Sequence, residues 1–143
     1  MASMKSTFGL PNITYDSDFV STLANNGIGG WQGRNWDPAV GDKSFDRYCA
    51  NITTDTLLYP ATAGLKETVQ NLTEASGYPS ASDKFITRML NWIGYVNATL
   101  VTSCAGNNQT QDQCYSTHND TLYAQIDFSQ QGWRSWAYQY CTE

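Results

Sequence analysis

A mainly α fold follows from three features of the 143-residue chain. Its longest apolar stripe, Phe85, Met89, Trp92, Val96 and Leu100, recurs at the i, i+4, i+7, i+11, i+15 spacing of one helix face. A second stripe, Leu65, Val69 and Leu72, repeats at i, i+4, i+7. No stretch alternates apolar and polar residues cleanly over more than four positions, so half-buried strands have no signal. A chain of this length fits one domain with a modest core.

Taken in order, residues 1–14 read as an extended lead-in that Pro11 and the Asn12 glycosylation sequon keep exposed. Residues 15–143 then form the helical domain, incomplete at its C-terminal end. Asp16 or Ser17 caps a short helix through Phe19, Val20 and Leu23, ended by Asn25-Asn26-Gly27. The Gly27-Ile28-Gly29-Gly30-Trp31-Gln32-Gly33 stretch lacks the phosphate-cradling G-x-x-x-x-G-K-S/T pattern and follows no strand. It predicts a tight turn packed closely against Trp31; the alternative is the wall of a substrate cleft. Pro38 pushes Asp37 out of the helical region, so Asn35-Trp36-Asp37-Pro38 is a turn. Lys43 to Ala50 forms a short helix carrying Phe45, Tyr48 and Cys49 inward. Thr62 to Ser76 is a clearer one, closed by Gly77. Ser82 or Asp83 caps the longest helix, Lys84 to about Thr102, whose stripe Ile86, Leu90 and Ile93 thicken. Gly94 costs that helix up to ~1 kcal/mol relative to Ala, which a close helix crossing would justify. Cys114 to Leu122 is a short helix or turn, and 127–132 a loop.

The closing residues, Trp133 to Glu143, crowd aromatic groups into three helical turns. Trp133, Trp136 and Tyr140 share one face; Arg134, Tyr138 and Cys141 share an adjoining one. Gln139 and Glu143 take the remaining side. A helix aromatic almost all round needs more cover than so small a domain provides. This predicts an exposed apolar patch at Trp133, Trp136 and Tyr140, with self-association through it.

Composition narrows the function. A net charge of −5 argues against a nucleic-acid partner. No apolar run approaches the ~20 residues of a membrane span. The four cysteines, Cys49, Cys104, Cys114 and Cys141, lack C-x-x-C spacing, and the chain has one histidine, so disulfides fit better than a metal. Cys104 and Cys114 bracket a polar loop, which favours a local bridge and leaves Cys49 for Cys141. Sequons at Asn12, Asn51, Asn71, Asn97, Asn108 and Asn119 make six of eleven asparagines glycan acceptors. With paired cysteines they place the chain in the secretory pathway, secreted or vacuolar/lysosomal. The N-terminus shows no 7–15-residue apolar signal region. Met1 is therefore expected not to be the natural start.

No catalytic set assembles. None of Ser76, Ser80, Ser82, Ser116 or Ser135 lies in the G-x-S-x-G turn that exposes a hydrolase nucleophile. His118, beside the Asn119 sequon, reads as a solvated loop histidine without a positioned nucleophile. Asp16/Asp18 and Asp42/Asp46 suit helix N-termini, and Glu67 with Asn71 marks a solvated face. Glu143 needs a partner if buried, with Arg134 the nearest choice. Neither a metal nor a cofactor is expected.

Five blocks together resemble the S28 family of serine peptidases, the prolyl carboxypeptidase and dipeptidyl peptidase II group, in its fungal branch. They are Gly27-Ile28-Gly29-Gly30-Trp31-Gln32, Asn35-Trp36-Asp37-Pro38-Ala39, Asp55-Thr56-Leu57-Leu58-Tyr59-Pro60, Met89-Leu90-Asn91-Trp92-Ile93-Gly94-Tyr95-Val96-Asn97 and Trp133-x-x-Trp136-x-Tyr138-Gln139-x-Cys141-Thr142-Glu143. They run in family order from about Phe8 to Glu143. The resemblance implies a helical cap of the SKS type inserted in an α/β-hydrolase, with the catalytic Ser before it and the Asp and His after it. The chain would then supply substrate gating for a serine-type exopeptidase acting at proline or terminal-dipeptide bonds. It would meet its peptide substrate through the missing hydrolase domain. Trp136, Tyr138, Gln139, Thr142 and Glu143 become the substrate-pocket candidates, and an aromatic-walled pocket suits a pyrrolidine ring. It also opens a second pairing, in which Cys141 bonds upstream of this chain and Cys49 takes Cys104 or Cys114. The other function class is a free-standing secreted, disulfide-stapled helical binding protein.

Overall fold

The computed structural model describes residues 1–118 other than 36 and 38, together with 120 and 124. Among these the regular structure is helical throughout: α1 (Ala2–Thr7), α2 (Asp16–Asn25), α3 (Ser44–Thr53), α4 (Lys66–Ala75), α5 (Asp83–Val96), α6 (Thr102–Gly106) and α7 (Gln111–Tyr115). Two 3-10 segments, Ile28–Gly33 and Pro60–Leu65, precede α3 and α4, and a π-helical turn, Asn97–Val101, joins α5 to α6. The mainly α class therefore stands for the described residues.

α5 is the axis. Ile86, Leu90, Ile93 and Val96 line its buried face and pack with Phe8, Leu10, Ile13, Phe19, Leu23 and Val69 into one core. Ser82 caps the helix as its sequence suggests, its hydroxyl accepting from Phe85 N at 3.2 Å. Of the longest stripe Val96 is fully buried, and the residues that thicken it, Ile86, Leu90 and Ile93, supply the rest of the buried face. Phe85 stays 42% exposed, and Met89 and Trp92 are only partly covered. Both 85/89/92/96 and 86/90/93 satisfy helical spacing, so periodicity could not choose between them; contact with α1–α2 and with the 54–59 segment decides. Asn91, 0% exposed, supplies much of that decision. Its Nδ2 donates to Thr54 O and Thr56 O, and its Oδ1 accepts from Leu58 N.

The extended lead-in is corrected. Residues 2–7 are helical, and Phe8, Leu10 and Ile13 are buried. α1 ends in a Schellman arrangement, with Leu10 N bonded to Lys5 O, Gly9 N to Ser6 O, and Gly9 at φ 72°. Lys5 then folds the segment back: its buried Nζ donates to Ile13 O and Thr14 O and meets Asp16 at 2.6 Å. Pro11 and Asn12 lie exposed, as expected, but on a turn between buried apolar residues.

Other local expectations fare unevenly. Asp16 and Ser17 do not cap α2; Tyr15 occupies that position, and no side chain bonds there. The glycine-rich turn does not close on Trp31, which is 57% exposed. Gly27 meets Tyr48 instead, and Gly30 meets Ser44. Of the three side chains expected inward from α3, Tyr48 is buried while Phe45 and Cys49 are half-buried. Gly77 closes α4 as expected. Gly94 is required not by a helix crossing but by the Tyr59 ring, which occupies the place where a Cβ would sit.

Candidate functional site

The densest polar constellation joins α2 to the segment after α7. Asp18 lies in the first turn of α2, as expected of a residue that suits a helix N-terminus, and is 2% exposed. Its carboxylate accepts from Ser116 Oγ at 2.9 Å and Thr117 Oγ1 at 2.7 Å, and lies 3.1 Å from His118 Nδ1. His118 stacks on Tyr15 with ring centroids 3.8 Å apart. His118 is the solvent-exposed loop histidine the sequence indicates, with the addition that its Nδ1 meets a buried carboxylate. Burial alone would raise the Asp18 carboxyl, but donation from Thr117, His118 and Ser116 outweighs it and holds it below its ordinary value.

This set holds a Ser, a His and an Asp yet is wired for anchoring. Ser116 Oγ donates to the carboxylate and accepts the His118 backbone N–H at 3.0 Å. A nucleophile would have to donate to the imidazole instead. Sequence reasoning missed the constellation because Asp18 stands 98–100 residues from its partners. No local pattern encodes that distance.

Among the described residues, two apolar surfaces are left uncovered. Phe85, Met89 and Trp92 of α5 form a groove with Met4, Phe8 and Leu72. Trp92 packs edge-on to Phe8 at 4.9 Å, while its buried Nε1–H has no acceptor among the described residues. Trp31 and Phe45 pack edge-on at 5.1 Å beneath the Arg34 guanidinium, which also meets Asp46 at 3.3 Å. These account for five-block residues that the core does not absorb.

The substrate-pocket candidates Trp136, Tyr138, Gln139, Thr142 and Glu143 lie outside the described residues, as do Trp133, Arg134, Tyr140, Cys141 and Asn119. Cys104 and Cys114 are bonded to each other, which overturns the pairing of either with Cys49. Cys49 has no partner among the described residues. Asn12, Asn71 and Asn108 are exposed; Asn51 and Asn97 are half-buried. Among the described residues no group of His, Cys, Asp and Glu is placed to hold a metal ion. No helix there is long and apolar enough to cross a membrane.

Among the described residues the chain is helical and disulfide-bridged. Across 140 residues, 98% of its length, the chain is 40% identical to an Arthroderma benhamiae protein described as a "probable extracellular serine carboxypeptidase". The chain spans 19% of that relative's length. A relationship to a serine carboxypeptidase is thereby supported over the whole chain. No family model matches the sequence. No solved structure matches it either.

Proposed function

We propose that this chain is the cap of a secreted serine-type exopeptidase of the S28 kind, acting at proline or terminal-dipeptide bonds, and that the nucleophile, base and acid lie in polypeptide outside it. One observation carries the reading: the match to a serine carboxypeptidase runs the chain's full length yet takes in a fifth of the relative. The wiring of Ser116, His118 and Asp18 fits a supporting role. The groove at Phe85, Met89 and Trp92 offers an apolar face for the hydrolase part. The closing aromatic residues would cover that contact or, left alone, drive self-association. Peptide substrate meets the cap through the hydrolase.

The second reading, a free-standing secreted binding protein, draws on the single core that the described residues build from Leu10, Phe19, Ile86, Ile93 and their neighbours. One assay separates catalysis by the chain from catalysis beyond it. The purified chain should hydrolyse no proline-containing peptide and take no label from a serine-directed fluorophosphonate. Labelling abolished by a single Ser→Ala change would overturn the proposal.

A further inference from the structure

The geometry points to a specific glycosylation pattern: the secreted chain carries N-glycans at Asn12, Asn71 and Asn108 and none at Asn51 or Asn97. The inference rests on the secretory reading and sharpens it from six equivalent sequons to a choice among the five that the structure describes. The donor is a lipid-pyrophosphate-linked oligosaccharide. Its anomeric carbon bonds to the asparagine Nδ2, one amide proton leaves, and the lipid pyrophosphate departs with the electrons of the broken C–O bond.

Every described sequon threonine is already employed by the fold. Thr14 Oγ1 donates to Asp112, Thr53 to Cys49 O at 2.8 Å, Thr73 to Val69 O at 2.7 Å and Thr99 to Tyr95 O at 2.7 Å. Thr110 Oγ1 caps α7 by accepting from Gln113 N at 3.2 Å. The folded chain does not present a free Asn-x-Thr, so transfer precedes local folding. What the fold decides is which glycosylated asparagines it can then accommodate.

Asn97 cannot be accommodated without loss. Its Nδ2 donates to Ile93 O at 2.8 Å, and its Oδ1 fills the space over Gly9 that a Cβ would need. Its own carbonyl takes the Thr102 hydroxyl at 2.9 Å, which closes the π-helical turn. Swinging the amide outward to carry a sugar opens the seam between residue 9 and the long helix. Asn51 is held as firmly: Oδ1 accepts the Tyr59 hydroxyl at 2.7 Å, and Nδ2 donates to Arg47 O at 2.8 Å. The Tyr59 ring in turn sits on Gly94. A glycan at Asn51 would therefore disturb the packing of α5.

The other three face water. Asn12 is exposed on the turn after α1, and Asn108 occupies the exposed loop between the bridged Cys104 and Cys114, with φ 55°. Asn71 lies about 200° round α4 from the buried Val69, at about 100° per residue, and is exposed. None of the three lines the groove at Phe85, Met89 and Trp92. The glycans would leave bare the apolar surfaces that a protein partner needs.

The test uses the full 143-residue chain, exported from a eukaryotic host behind the host's own leader. Enzymatic deglycosylation in heavy-oxygen water marks each formerly glycosylated asparagine, and peptide mass spectrometry reads the marks in the monomeric secreted fraction. Asn12, Asn71 and Asn108 should be marked and Asn51 and Asn97 unmarked. Single Asn→Gln changes at the first three should each remove one glycan, while N51Q and N97Q leave glycan mass unchanged. A mark at Asn51 or Asn97, or its absence at any of the other three, overturns the pattern. Because the host leader supplies entry, failure here is distinct from failure of the secretory reading, which is tested by looking for the natural protein in its own culture medium.

Discussion

At the residue scale, Asp18 carries the most. It is buried, charged, and the shared acceptor for Ser116, Thr117 and His118. Removing it takes away the buried carboxylate that three solvent-accessible donors share, and hydrogen bonds to a charged group contribute about 1.5–3 kcal/mol. Asp18→Ala should therefore lower stability by about that amount in urea unfolding. A loss under about 0.5 kcal/mol would place the cluster among ordinary surface contacts. The pH dependence follows from the depressed carboxyl. Such a group contributes stability that is complete above its ordinary value of 3.8 and disappears as pH falls through the lower folded value. The protection factor of the His118 amide, which removes the intrinsic pH dependence of exchange, should thus hold through mildly acidic pH and fall only below 3.8. A protection factor that falls between neutrality and mild acid would contradict the assignment to Asp18.

At the element scale, α5 shows both what the sequence encodes and what it leaves open. Ser82, the apolar periodicity and the terminating Gly77 of the preceding helix were legible because each is a local signal. The buried face was legible only in part, since two neighbouring stripes fit the same period and only distant partners break the tie. Residues 1–14 misled for a related reason. Pro11 and Asn12 are honest turn signals, but the burial of Leu10 and Ile13 depends on Lys5 reaching back to carbonyls eight and nine residues on. The Asp18 cluster, the groove and the tyrosine over Gly94 are likewise tertiary facts without a local signature. Alanine replacement distinguishes the two faces of α5. Ile86, 1% exposed, should cost about 2–5 kcal/mol when cut to Ala, and Phe85, 42% exposed, should cost clearly less. Thermal or urea unfolding of both variants reads the difference. Equal costs would mean that the outer stripe is covered in solution.

At the scale of the whole molecule, the described residues make one core with an open apolar groove, and the sequence match runs the full chain. The five sequence blocks divide accordingly. Asn91 and Gly94 are explained by packing with the 54–59 segment; among the described residues Trp31 is exposed and Trp92 only partly buried. That remainder supports the proposed reading of the chain as a cap. The most direct measurement is a transplant: the matching segment of the Arthroderma benhamiae relative is replaced by these 143 residues, and the chimera is assayed beside the parent. The account predicts a secreted chimera that is labelled by a fluorophosphonate and releases residues from the peptides the parent cleaves. A chimera labelled as strongly as the parent, hence with a folded catalytic centre, that cleaves none of those peptides would contradict it.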